Sequence, residues 1–160
     1  MSSTQNSNAK FNRAFISKKD FEEANEYLCL YEPYAFDVGN KALLMSAIVS
    51  YSRPFTKNDC GKGGMSTPML MNKPNKILDS KELELHCKII RLRNEAIAHS
   101  AYTKKAVRVT SADHSGYGTS SRIFDIFSEG IEKNHFMSVI AKMIRYCDET
   151  MSYLKHFVQV

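Results

Sequence analysis

The sequence predicts an all-α protein, a bundle of four to five helices with one small β-hairpin inserted before the last long helix, and three observations lead there. Residues 35–51 are apolar nearly all round (Phe36, Val38, Ala42, Leu43, Leu44, Met45, Ala47, Ile48, Val49), as in a helix buried on most sides. Asp79 with Glu82 three positions later is a capping box that announces a second helix. Residues 129–157 place Ile131, Val139 or Ile140, Met143, Cys147, Thr150 or Met151, Leu154 and Phe157 or Val158 on one face of a third.

In chain order, residues 1–16 read as a flexible polar arm with Phe11, Phe15 and Ile16 near its end, and residues 17–160 as a single helical domain. Ser17 is a candidate N-cap for a helix whose Phe21, Ala24, Leu28 and Tyr31 recur at helical spacing, until Pro33 interrupts it. Asp37 and Asn40 are polar positions on the apolar central helix; they read first as satisfied structural groups, with support behind a site as the alternative. Pro54 discourages that helix from continuing past Arg53, which can meet terminal carbonyls or lend a cation to a phosphate. Residues 55–77, rich in Gly, Pro, Lys and Asn, read as a long irregular loop, and its GKGG lacks the spacing of a phosphate loop.

The helix after Asp79 is apolar on two sides. Leu83, His86 or Cys87, Ile90, Asn94 and Ile97 trace one stripe, and Leu85, Ile89, Leu92 and Ala96 broaden it, which suits a helix packed on its own bundle and on a second copy. His86 falls on the buried side. Residues 106–110 and 122–127, β-branched or aromatic and separated by HSGYGTSS, predict the hairpin, with His114 at its tip. His135 and His156 begin and end the last helix, and the spacing gives neither a role.

Composition narrows the class. The chain has 160 residues, enough for one hydrophobic core, with 43% hydrophobic and 24% charged residues. Cys29, Cys60, Cys87 and Cys147 are scattered without a CxxC pair, which points away from a zinc site or a disulfide framework and toward thiols in a reducing compartment. Residues 1–12 lack the apolar run of a signal peptide, and no stretch approaches the roughly 20 apolar residues of a membrane span, so the expectation is a cytoplasmic protein without a membrane partner. The net charge is +5, and residues 81–108 hold seven basic side chains (Lys81, Lys88, Arg91, Arg93, Lys104, Lys105, Arg108) against Glu82, Glu84 and Glu95. That basic segment suits a polyanion, and equally a solvated helix face.

Within it, RLRNEAIAHS (91–100) sets Arg93, Asn94 and His99 near the end of the helix. Phosphodiester chemistry uses such groups: arginine is a permanent planar cation that grips two phosphate oxygens, and histidine exchanges a proton near neutrality. An attacking 2′-hydroxyl must lose a proton while the phosphorus gathers negative charge, and no metal or other cofactor is required by this logic. On a straight α-helix, however, positions 93 and 99 lie roughly 120° apart and about 9 Å along the axis. Either the helix departs from that geometry before His99, or a second copy supplies the missing group.

RNEAIAH resembles the signature of the HEPN superfamily, an Arg, a polar residue after it, and a His four to six residues beyond the Arg. YEPYAFDVGNKALLMSAIVSYSRPF, then a long loop, then LRNEAIAHS, is similar to bacterial abortive-infection proteins of that superfamily, over residues 31–102. Many members carry a Tyr two residues after the His; here position 101 is Ala and Tyr102 is the nearest. The resemblance implies a small helical bundle and a metal-independent endoribonuclease of a phage-defence or toxin–antitoxin system, its site completed where two motifs meet in a homodimer. Arg93, Asn94 and His99 would be its catalytic residues; Lys88, Arg91, Arg53, Lys104 and Lys105 would hold RNA; a cognate antitoxin or regulatory protein is a further partner. The rival expectation is a non-catalytic helical regulatory module that binds RNA, a nucleotide or a protein.

Overall fold

The computed structural model describes residues 3–56, 73–97, 107–110, 118–121 and 124–157. The protein is mostly helical: α1 (Ser3–Leu30), α2 (Val38–Ser52), the short α3 (Pro74–Ile77), α4 (Ser80–Leu92) and α5 (Lys133–Leu154). Among the described residues no helix is long and apolar enough to cross a membrane.

Helix α1 runs through the segment expected to be a polar arm. Ala14, Ser17, Phe21, Ala24, Leu28 and Tyr31 recur every three or four residues and are all buried, so one continuous stripe faces the bundle from residue 14 onward. Ser17 is therefore inside the helix and not its cap. Arg13, also buried, uses Nη2 to donate to the Pro54 carbonyl at 2.9 Å and the Arg53 carbonyl at 3.4 Å. It meets carbonyls at the end of the neighbouring helix, where intrahelical donors run out.

Helix α2 starts at Val38 because Asp37 caps it, accepting the Asn40 backbone N–H at 2.8 Å. Asn40 is buried: its Oδ1 accepts from the Glu32 N–H at 2.8 Å, and its Nδ2 donates to the Glu32 and Ala35 carbonyls, tying the connection from α1 shut. Both polar residues are thus structural. Leu44, Ala47, Ile48 and Tyr51 are buried, whereas Phe36 and Val38, expected to point inward, are 73% and 85% exposed at the corner before the helix. A 3₁₀ turn, Arg53–Phe55, ends α2 with Pro54 near its start.

The capping box forms as expected. Asp79 accepts from the Lys81 and Glu82 N–H groups, both at 3.0 Å, and Glu82 Oε2 accepts from the Asp79 N–H at 2.9 Å. Glu82 is itself buried and paired with Lys142 of α5 at 2.6 Å. The face that α4 turns to the core is Glu82, Leu85, His86, Ile89 and Leu92; Leu83 and Ile90 of the expected principal stripe are half-buried, Cys87 and Asn94 exposed.

Val107–Thr110 and Gly118–Ser121 pair antiparallel, Val107 opposite Ser121 and Thr110 opposite Gly118. The second strand was expected at 122–127, but Asp125 there caps a 3₁₀ turn, Ile126–Glu129, accepting the Phe127 N–H at 3.1 Å. Gly130 closes that turn at φ 61°, a left-handed conformation that side chains with a Cβ disfavour. Glu132 then caps α5, whose Phe136, Val139, Ile140, Met143, Cys147 and Leu154 are buried. Burial pushes the Cys147 thiol up to about 12, so it stays a neutral core group.

Four of these elements meet at Tyr51. Its fully buried ring lies 5.5 Å from Phe21 of α1, 5.4 Å from Phe55, 5.8 Å from His86 of α4 and 5.2 Å from Phe136 of α5, centroid to centroid. Its hydroxyl shares a 2.8 Å hydrogen bond with His86 Nδ1. Burial lowers the His86 pKa to about 4, so the ring stays neutral.

Two stability measurements check this centre. Tyr51→Ala is expected to cost about 3–5 kcal/mol in urea denaturation, because the cavity opens between four elements; a loss below about 1 kcal/mol would show that the ring does not join them. The neutral His86 adds a pH dependence. Above about pH 6.5 the ring is neutral in both states and its contribution is intact; as pH falls from there toward 4, the unfolded chain takes up a proton that the fold refuses. About 2 kcal/mol is expected to be lost by pH 5 from this group, and the Tyr51→Phe/His86→Phe pair is expected to flatten that slope.

Candidate functional site

The motif lies where α4 changes pitch. Arg93–Ile97 form a π-helical turn, and the Arg93 N–H is shared between the Ile89 and Ile90 carbonyls. Such a turn holds more than 3.6 residues and re-aims every side chain beyond it, so the angle reckoned for a straight α-helix does not apply. The turn packs beside α2.

Arg93 is half-buried, and its Nη1 donates to Asn94 Oδ1 at 3.0 Å. Among the described residues it meets no carboxylate. A hydrogen bond to an adjacent amide holds a guanidinium without cancelling its charge, and among the described residues it leaves most of the five donors for another acceptor. Asn94 is exposed beside it. His99, Lys104 and Lys105 lie outside the described residues, as do Tyr102, His114 and Cys60.

Lys88 and Arg91 come together one helical turn earlier, lining an open cleft of about 400 Å³ with Glu84, Cys87 and Glu129. Lys88 Nζ donates to the Glu129 carbonyl, which ties α4 to the segment before α5. Arg91 is exposed and stands two residues before Arg93, roughly 200° around an α-helix, so the two guanidinium groups leave the helix on opposite sides. The cleft and the Arg93–Asn94 pair are separate features.

Arg53 is elsewhere, and the structure corrects the expectation that it offers a spare cation. Its Nη1 is 3.3 Å from Asp20 Oδ1 and also pairs with Glu23 Oε2, both on α1. Glu23 further accepts from Ser50 Oγ at 2.8 Å and Tyr27 Oη at 3.2 Å. The Ser50 hydrogen bond, and then Arg53, hold the Glu23 carboxyl below its ordinary value; burial raises Asp20 more than Arg53 lowers it. Asp20 and Glu23 thus engage the Arg53 guanidinium, with Arg13 also acting on Asp20, so the charge of Arg53 is taken up within the α1–α2 contact. The neighbouring groove of about 370 Å³, lined by Tyr27, Ala42, Met45, Ser46, Val49, Ser50 and Arg53, belongs to the α1–α2 contact.

His86 is a core residue on Tyr51, as its place on the inward face of α4 implied. His135 donates its backbone N–H to Glu132 at 2.9 Å, part of the cap of α5. Arg13 was missed by sequence reasoning: it stood in a segment read as an arm, and its partners are 40 and 41 residues away.

No protein-family model, no curated protein and no solved structure matches the chain.

The contrast between the two arginines is testable. Arg53→Ala is expected to cost no more than about 1 kcal/mol, a loss that shrinks in high salt, and to leave any RNA affinity of the protein unchanged. A fall in RNA binding as large as that of Arg93→Ala would overturn the assignment of Arg53 to the α1–α2 contact.

Proposed function

We propose that this protein is a metal-independent endoribonuclease of the HEPN type, acting in a phage-defence or toxin–antitoxin setting in the cytoplasm, with its site completed between two copies of the chain. On this proposal the helices form one HEPN-like domain, and the two paired strands are a small insertion before the last helix. The observation that carries the reading is Arg93, held by Asn94 at 3.0 Å on a π-helical turn with no carboxylate beside it among the described residues. A fixed guanidinium with donors to spare suits a phosphorus that gathers negative charge. The RNEAIAH resemblance supplies His99 as the proton-transfer group.

In the proposed reaction the 2′-hydroxyl oxygen attacks the adjacent phosphorus while His99 takes its proton. The bond to the 5′-oxygen breaks, and the leaving oxygen takes a proton from water or from an imidazolium of the second copy. Arg93 steadies the phosphoryl oxygens throughout, and Asn94 orients the guanidinium. The products are a 2′,3′-cyclic phosphate and a 5′-hydroxyl. Lys88 and Arg91, with Lys104 and Lys105, would hold the strand through its phosphates. The second copy would lie along the less buried row of α4, Leu83, Cys87, Ile90 and Asn94, which leaves Arg93 beside the seam.

The test is RNA cleavage in EDTA. Arg93→Ala and His99→Ala are each expected to lose about 10²–10⁴-fold in rate while His99→Ala keeps RNA binding, and Lys88→Ala/Arg91→Ala is expected to weaken binding and flatten its salt dependence. Wild-type protein that binds RNA without cleaving it would replace this reading with that of a binding module.

A further inference from the structure

Among the described residues, four of the large apolar side chains left in solvent gather at the corner between α1 and α2. Leu30 ends α1 67% exposed; Tyr34, Phe36 and Val38 follow at 91%, 73% and 85%. This is a built corner. Asn40 pins the connection to Glu32 and Ala35, Phe36 meets Phe127 edge-on at 5.3 Å, and Lys133 Nζ reaches the Tyr31 carbonyl at 2.7 Å. Lys41 Nζ reaches the Phe124 carbonyl at 3.3 Å, so the α1–α2 connection and the segment before α5 form one surface. A braced backbone, with the Phe36 ring resting on Phe127, loses little freedom when something covers it.

The rim has the opposite sign to the chain. Among the described residues Glu32, Asp37, Asp125 and Glu132 flank this corner, while the lysines that reach it, Lys41 and Lys133, each point the ammonium at a backbone carbonyl. A chain of net charge +5 thus carries a locally acidic edge around an aromatic patch. Nucleic acid and anionic lipid are repelled there, and a cationic partner is drawn in. The area sets the partner's size. Four such side chains supply on the order of 500 Å², short of the roughly 800 Å² per partner of a standard protein interface and suited to a short segment.

We propose that this corner docks a short basic and apolar segment of another polypeptide, its apolar side chains against Tyr34, Phe36 and Val38 and its Lys or Arg groups against the carboxylate rim. The site is independent of the nuclease reading.

The experiment titrates the full chain with two labelled synthetic amphipathic helices that share Leu and Phe positions, one carrying Lys on its polar face and the other Glu. The Lys helix is expected to bind at least about tenfold tighter than the Glu helix, and to lose about tenfold in affinity with Tyr34→Ser/Val38→Ser, whose exposed positions leave folding intact by circular dichroism. Glu32→Lys is expected to weaken it further at low salt. Absent or equal binding of the two helices, or binding unchanged in Tyr34→Ser/Val38→Ser, would overturn the proposal. So would self-association of the chain, or binding to phosphatidylserine vesicles, that this double variant abolishes, since the patch would then serve a second copy or a lipid surface.

Discussion

The contact on which the rest of the fold depends is the one Tyr51 makes with its neighbours. A bundle needs its helices to agree on a common depth, and here one ring from α2 meets Phe21, His86 and Phe136 from three other helices. The hydroxyl makes that agreement specific, because a buried polar group has to find its partner and His86 Nδ1 is in reach at 2.8 Å. The register of α4 against α2 is thereby set about two turns before the π-helical turn that carries Arg93. A slip of α4 along α2 would cost both that hydrogen bond and the packing of Ile89 and Leu92, so the placement of the motif follows from the core.

Electrostatics divides the molecule in a way composition alone conceals. Several cations are spent on structure: Arg13 on the carbonyls that end α2, Arg53 on Asp20 and Glu23, Lys142 on buried Glu82, Lys18 on Asp148 at 2.7 Å. Arg93 keeps its charge uncancelled by any described carboxylate and donates to the Asn94 amide oxygen. Availability of charge, and not its count, separates a site from a scaffold. On the docking proposal, the corner around Tyr34 and Phe36 would take a partner of the opposite sign to the one proposed for Arg93.

Much of the helical plan was legible in the residues, for physical reasons that differ from element to element. The start of α4 could be read from Asp79 and Glu82 because a capping box is local, and α5 from a long single-faced stripe. The first half of α1 was hidden because its buried positions include Arg13 and Ser17, which periodicity counts as polar. Phe36 and Val38 read as core in the sequence because apolarity does not say which side of a corner a residue occupies. The β-branched and aromatic run at 122–127 resembled a strand, and the Asp125 cap and Gly130 turn overruled it through hydrogen bonds that propensity does not weigh. Of the site, the composition of the motif was visible but its pairings were not. Arg53 and its partners lie 30 and 33 residues apart, and nothing in local spacing foretells that they meet.

The central functional claim is that two copies each contribute to one RNA-cleaving site, and the most direct measurement mixes two inactive variants. Refolding Arg93→Ala with His99→Ala chains together, with tagged subunits to purify and count the mixed dimers, separates a shared site from a private one. If the guanidinium of one copy works with the imidazole of the other, half of the dimers regain one intact site and the mixture recovers about a quarter of wild-type cleavage. A mixture that forms dimers and stays inactive, or a wild-type chain that remains a monomer while cleaving RNA, would contradict the account.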